Sequence, residues 1–345
     1  MQGRRIWAGW LVLCLSVGSL TGWAQAILPV EGEPAVEPAV QAFEAPDHYT
    51  EPGDQLRVCS YNIQDFFEGT DDGRRTWEHA HRQARLAGAI IDDIDADLLV
   101  LQEIESARML RILNDSLERP YAVGYVTTFG SGAGRLNRLN LAVLSRLPLQ
   151  GVTELDFTEM NGPGRPTRGL MRFHVELGEA TSLLVYNLHL KANWGDQRRN
   201  ISQRHNALTL LRQDQAEWLA AQGDGSRTEV MVVGDFNVDP DVPSFAGDPS
   251  LEPLDDLVDL WAGRPLEERI TVPTRYGVAD LEFPPVAFDR FYITEGLTEG
   301  PWIAGQPYVM SKGVNIDDVR VVAGEDEITA SDHYPIFLDL YHSRH

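Results

Sequence analysis

The sequence predicts an α/β fold with sheet packed against outer helices, and three observations carry that reading. From about residue 55 onward, strand-like and helix-like segments alternate. Several strand segments, among them LLVLQ (98–102), SLLVYNLHL (182–190) and MVVGD (231–235), are apolar on both faces, as in a sheet covered on both sides. Others alternate apolar and polar residues, as strands of an antiparallel meander do. Two sheets packed face to face with helices outside suit this mixture, and so does a doubly wound sheet. Periodicity does not choose between them.

The first 26 residues stand apart. Arg4 and Arg5 give a basic start, IWAGWLVLCLSVGSL is an apolar run of 15, and Ala24-Gln25-Ala26 is a small-x-small cleavage site. These are the three parts of a secretory signal. The run falls short of the roughly 20 residues that span a bilayer, so export to the periplasm or beyond is expected, with no membrane span left after cleavage. Residues 27–54 hold five prolines, seven acids and no Lys or Arg, and read as a flexible linker before a domain over 55–345.

Within that domain, QLRVCSYNIQDFF (55–67) reads as a strand and WEHAHRQARLAGAIIDDI (77–94) as a helix. ADLLVLQEI (96–104) is a strand entering the helix SARMLRILNDSL (106–117). LNLAVLSRLPL (139–149), LMRFHVEL (170–177) and SLLVYNLHLKAN (182–193) read as strands. A long amphipathic helix (200–222) leads to the strand EVMVVGDFN (229–237), and FDRFYIT (288–294) and HYPIFLDL (333–340) complete the set. GSGAG (130–134) lacks the Lys-Ser/Thr of a phosphate-cradling loop and reads as a connection.

The formal net charge of −23 becomes −25 once residues 1–26, with two arginines and no acid, are removed. Such a balance argues against coating nucleic acid through general electrostatics, but not against local attack on a phosphodiester. Cleavage also leaves Cys59 alone, so no intramolecular disulfide forms. Cys59 lies in an apolar strand and reads as an inert core thiol. Stability then rests on the core or on a bound metal.

Polar residues gather where strands stop. They are Asn62 in SYNIQ, Glu103 in LQEIE, His189 and Lys191 in NLHLK, Asp235 and Asn237 in GDFN, Asp289 in FDRF, and Asp332 with His333 in SDHYP. Carboxylates from several strand ends can converge on one hard cation such as Mg²⁺, Mn²⁺ or Ca²⁺, and no cysteine or paired-His spacing suggests zinc. An amide beside them can hold a nucleophile or a phosphate, and two histidines can move protons. His79 and His81 lie two apart on a helix, point to different sides, and read as surface residues.

In this order the LQE, GDFN and SDH elements resemble the endonuclease/exonuclease/phosphatase family, over roughly residues 56–340. The resemblance implies a four-layer αββα sandwich with two mainly antiparallel sheets. It also implies a metal-dependent phosphodiesterase using a divalent cation, Mg²⁺ first, held by Asn62, Glu103 and Asp332. Asp235 would position the attacking water, and Asn237 would orient the nucleophile and scissile phosphate. His333, oriented by Asp289, would contact the phosphate, and His189 would stand near the leaving or non-bridging oxygen. A monomeric nuclease is the leading reading. A phospholipid-headgroup or inositol-phosphate esterase is the alternative, and a non-catalytic module on this fold comes third.

The stretch KANWGDQRRNISQR supplies Lys191, Arg198 and Arg199, with Arg204 beside them, as a basic rim for a polyanion such as nucleic acid. Trp194 is available to stack on a base, and Arg165 and Arg168 are further candidates. The plain alternative is a solvated loop and helix start. Two departures from the family stand out. Gln64 occupies a position where abasic-site endonucleases carry a carboxylate, and the strand over NRLNLAVLSR offers no acid to pair with His189.

Overall fold

The computed structural model describes residues 27–50, 53–69, 76–130, 138–178, 180–222, 227–276, 282–314 and 329–343. The expected signal segment lies outside them, as do residues 131–134 of GSGAG. In chain order the strands begin with β1 (Ala35–Pro38), β2 (Val40–Glu44), β3 (Gln55–Phe66), β4 (Leu98–Ile104), β5 (Val123–Val126) and β6 (Asn140–Ser145). They continue with β7 (Gln150–Asp156), β8 (Leu170–Gly178), β9 (Thr181–His189), β10 (Arg227–Asp235) and β11 (Val258–Asp259). Last come the short β12 (Arg275–Tyr276) and β13 (Glu282–Phe283), then β14 (Asp289–Ile293), β15 (Trp302–Ala304), β16 (Tyr308–Val309) and β17 (Ile336–His342). The helices are α1 (Trp77–Ile94), α2 (Ala107–Asp115), α3 (Gln197–Ala221), α4 (Leu266–Arg269) and α5 (Gly296–Glu299).

One sheet has the order β1-β7-β8-β9-β10-β14-β11, the other β15-β17-β3-β4-β6-β5-β2 with β16 also on β17, and β12 and β13 form a separate hairpin. Each large sheet is antiparallel except at its centre, where β3 pairs parallel with β4 and β9 with β10. The cause is connectivity. A parallel neighbour needs a crossover long enough for a helix, and α1 and α3 fill the two crossovers. As a result β3 and β4 end on one edge, and β9 and β10 end together in the other sheet.

The apolar residues divide into three layers. Val58, Val100 and Val143 of one sheet meet Phe173, Val185 and Val233 of the other to form the core between the sheets. Behind β3 and β4, Leu99 and Leu101 pack against Ala84, Ala87 and Ile91 of α1 and Leu110 of α2. Behind β9 and β10, Tyr186 and Val232 pack with Ala207, Leu208 and Leu211 of α3. All nine residues of β9 are buried, which explains its unbroken apolar run. The architecture is the two-sheet αββα sandwich. His79 works at the start of α1, where its Nδ1 accepts from Thr76 N (3.0 Å) in a capping box. Among the described residues, no helix is long and apolar enough to cross a membrane.

The flexible linker expected over 27–54 is corrected by the structure. β1 pairs with β7 and β2 with β5, so the segment adds an outer strand to each sheet. Proline and acid content misled because these are edge strands, where unpaired N–H groups, prolines and charges are tolerated. Ala42 is buried, and its carbonyl accepts from Arg111 Nε (2.6 Å). Ala42→Asp should therefore lower unfolding stability by about 2 kcal/mol or more, read as a shift in the urea midpoint. A loosely tethered segment would give no shift.

Candidate active site

The strand ends bring the site together. In register, Asp235 of β10 faces His189 of β9 on one side and Asp289 of β14 on the other. In the second sheet Asn62 of β3 pairs with Gln102, immediately before Glu103. β17 runs back along β3 from Ile336 opposite Ser60, so Asp332 and His333 in the preceding loop arrive at the same edge.

Local backbone geometry aims these groups. Glu103 has φ +66°, and the β4–β6 register slips between Gln102 and Ile104. A bulge of this kind turns a side chain out of the strand's alternation. Gln64, Asp65 and Asn237 also have positive φ, a strain that persists only where surrounding structure enforces it. Gly234 has φ +137°, and a Cβ there would lie 2.1 Å from Leu188 O. Only glycine lets β10 approach β9 so closely just before Asp235.

Around Asp235 the contacts are dense. Its Oδ2 accepts from Asn62 Nδ2 (3.1 Å), lies 3.3 Å from His189 Nε2 and 3.9 Å from His333 Nε2, and its Oδ1 accepts from Asn237 N (2.8 Å). Glu103 Oε2 accepts from Asp65 N (2.7 Å), and its Oε1 lies 3.4 Å from Asn62 Nδ2 and 3.7 Å from His189 Nε2. Asn237 donates from Nδ2 to Leu190 O (3.1 Å). His333 Nδ1 meets Asp289 Oδ2 at 2.7 Å. Burial, then Asp332 and Asp65, push the Glu103 carboxyl above the usual range, and burial, then Asp289, do the same at Asp235. Burial and the nearby cations Arg168, His333 and Lys191 hold His189 well below its ordinary value. At His333 burial opposes the charge, but Asp289, Asp235 and Asp332 outweigh it and raise the imidazole to about 10. One histidine is thus held neutral and the other charged.

The sequence profile of the Endonuclease/Exonuclease/phosphatase family matches residues 59–333. The chain belongs to this family. No curated protein matches it significantly. Solved structures that resemble it include TDP2 from C. elegans, at 19% identity and TM-score 0.54 over 83% of this chain and 75% of that one. D. rerio TDP2 with a single-strand DNA product has 16% identity and TM-score 0.52, over 84% of this chain and 99% of that one. A mannosyl-6-phosphatase of Bacteroides thetaiotaomicron has 16% identity and TM-score 0.55, over 83% of this chain and 99% of that one. At these identities the likeness is one of fold.

Enzymes of the endonuclease/exonuclease/phosphatase family generally use divalent cations, and the donor chemistry here fits one. Glu103 and Asp332 offer carboxylates, whereas Asn62, expected as a third ligand, turns its Oδ1 to Gln64 N (3.1 Å) and its Nδ2 to Glu103 and Asp235; the crowding of Glu103 by Asp332 and Asp65 is what a bound cation relieves. Among the described residues no three His, Cys, Asp or Glu side chains already form a closed metal-binding group. Water or substrate oxygens would have to supply part of the coordination, as they commonly do for Mg²⁺.

The rim residues separate. Arg198 and Arg199 are exposed in the first turn of α3, and Lys191 is half-buried. Arg204 is fully buried, donating to Ser250 Oγ (2.9 Å), Asn193 Oδ1 (2.9 Å) and Asp248 Oδ2 (2.8 Å). It is a structural residue, not part of the rim. Among the described residues His189 Nδ1 has no hydrogen-bond partner, in keeping with the missing acid on β6.

Other contributors are hard to read from sequence. Thr271 Oγ1 accepts from Asp289 N (3.1 Å) and Ser331 Oγ from His333 N (3.0 Å), fixing both ends of the Asp289–His333 pair. Asp239, the second acid of GDFNVDP, accepts from Arg269 (2.6 Å), Arg290 (2.8 Å) and Ala287 N (2.9 Å). It secures the entry to β14 that carries Asp289, and its place in that polar run was the available signal.

Asp289→Asn should bring the His333 imidazole down from about 10 by at least ~2 units, read by NMR titration with His333→Gln for assignment. The raised value stabilises the fold fully below the unfolded value of about 6.5, and this contribution fades as pH rises through the folded value. The metal-free wild type should therefore lose stability relative to His333→Gln across that alkaline window.

Proposed function

We propose that this protein is a metal-dependent phosphodiesterase that hydrolyses its substrate by in-line attack of water, with nucleic acid as the substrate class. The observation that carries the reading is the meeting, at one edge, of oxygen donors, a neutral histidine, a charged histidine and an amide-held carboxylate. In-line hydrolysis needs an aligned water and stabilisation of charge growing on phosphoryl and leaving oxygens. Asp235, gripped by Asn62 and by the Asn237 backbone, orients that water. Its raised affinity for a proton suits it to take one from the water. His333, kept cationic by Asp289, donates Nε2–H to a phosphoryl oxygen. His189, neutral and within reach of Asp235, hydrogen-bonds at the opposite oxygen or the leaving group. Glu103 and Asp332 would hold the divalent cation, Mg²⁺ first, with Asn62 beside them; when bound it would supply Lewis-acid stabilisation of the phosphoryl charge.

Support for nucleic acid comes from Arg198, Arg199 and the exposed Trp194 on the loop leaving β9, together with the DNA product bound to a TDP2 of this fold. A phosphomonoesterase is the second reading, favoured by the small half-open cavity lined by Arg165, Arg168 and Lys191 next to the site.

Purified protein with Mg²⁺ or Mn²⁺ should turn over bis-p-nitrophenyl phosphate and lose that activity in EDTA. Asp235→Asn and His333→Ala should each lower kcat by at least ~100-fold with folding unchanged. Glu103→Gln should raise the metal concentration for half-maximal activity. Full turnover in EDTA would overturn the reading.

Neutralising Arg198 and Arg199 should raise KM for single-stranded DNA and flatten its salt dependence, the log–log slope shrinking by about one for each phosphate no longer neutralised. An unchanged slope would remove nucleic acid in favour of a small phosphoester.

A further inference from the structure

We infer that the cavity flanking the catalytic carboxylates binds a second phosphoryl group of the substrate, so that the enzyme prefers esters carrying a further phosphate next to the scissile one. The inference rests on the phosphoesterase reading above. The cavity measures about 310 Å³ and its lining includes Arg165, Arg168, Lys191, Asp156, Thr158 and Gly130. Lys191 follows His189 by two residues, and Arg168 Nη1 donates to Leu190 O, the carbonyl that also accepts from Asn237 Nδ2 (3.1 Å). The cavity therefore opens beside the reacting groups.

Each cation is oriented by a main-chain carbonyl. Arg165 Nη1 donates to Thr158 O (2.7 Å), Arg168 Nη1 to Leu190 O (2.7 Å) and Lys191 Nζ to Ala192 O (2.9 Å). Among the described residues, none of the three has a carboxylate within ion-pairing distance. The acid in the lining, Asp156, is committed to the loop instead. Its Oδ1 accepts from Thr158 N (2.8 Å) and Thr158 Oγ1 (2.6 Å), and its Oδ2 from Gly130 N (2.9 Å). Burial, then Arg168, Arg204 and Arg199, push the Lys191 ammonium down to about 8. Arg168 is attracted to Glu103, Asp235 and Asp65 at longer range, whereas Arg165 and Lys191 stand in the cavity without an ion pair among the described residues. A bound phosphoryl anion would complete their pairing.

The loop is also set before a ligand arrives. Gly164 N donates to Pro29 O (3.0 Å), Asn206 Nδ2 to Gly164 O (2.9 Å), and Gln203 Nε2 to Arg165 O (2.8 Å). Two guanidinium groups and an ammonium lining one cavity match a phosphoryl anion through charge-assisted hydrogen bonds. The volume is at the small end for ligand cavities, admitting a phosphoryl and part of the sugar or ring that bears it.

Calorimetric titration of the Mg²⁺-loaded protein with thymidine 5′-monophosphate and thymidine 3′,5′-bisphosphate tests this, alongside turnover of bis-p-nitrophenyl phosphate. The bisphosphate should bind at least ~10-fold more tightly, and Arg165→Gln should bring the two affinities near parity. If Arg165→Gln loses its cooperative melting transition, Lys191→Gln carries the same comparison. Equal affinities in the wild type, or a preference unchanged in a folded variant, overturn the inference. Turnover without preference leaves the hydrolase reading standing and removes the cavity's role. Preference without any phosphoester turnover does the reverse. A myo-inositol bisphosphate as third ligand assigns the source: tighter binding than the nucleotide points to a headgroup, weaker binding to a nucleic-acid strand.

Discussion

The arrangement of this site depends on a hydrogen bond buried between the sheets. Gln102 Nε2 donates to Asn187 Oδ1 (2.8 Å), while Asn187 Nδ2 donates to Leu101 O (3.0 Å) and Ala142 O (3.0 Å). Apolar contact is non-directional and lets two sheets slide over each other. A buried amide does not, because an unmade hydrogen bond in that environment costs about 1–3 kcal/mol. Gln102 precedes Glu103, and Asn187 lies two residues before His189. Locking these two positions fixes the distance between the carboxylate of one sheet and the histidine of the other.

On that lock the site accumulates features that oppose stability. Glu103, Gln64, Asp65 and Asn237 adopt positive φ, and Asp332 and Asp65 both oppose the charge on Glu103. Such conflicts cluster where a ligand or cation is expected to resolve them. Arg168 provides partial relief through its attraction to Glu103 and Asp235, while also pressing His189 toward its neutral form. One cation thus links the carboxylates at the strand ends to the cavity beside them.

Support extends well beyond the groups at the strand ends. Asp239 ties Arg269, Arg290 and the Ala287 backbone into a buried cluster beneath Asp289. The N-terminal segment does comparable work for the loop over 162–165, with Pro29 O accepting from Gly164 N and Glu31 bridging Asn161. Positions distant in sequence therefore govern how firmly the site is held.

By itself the sequence determined the long central strands, the three long helices and the identity of the polar groups at the strand ends. The period of two or of 3.6 is local, so the helix over 77–94 was readable to the residue, and β3, β4, β9 and β10 to within a few residues. Motifs such as GDFN and SDH are contiguous and their order survives in the chain. What tertiary structure alone decided was pairing, depth and aim. β1 and β2 draw their order from partners far along the chain, so their prolines and acids resembled a tether. Arg204 looked like its neighbours Arg198 and Arg199 because charge is visible in sequence and burial is not; about one and a half turns of helix further on, it faces the interior. The bulge that aims Glu103, the neutral state of His189 and the cation-lined cavity all arise from groups brought together across distant strands, where burial and long-range charge set the chemistry.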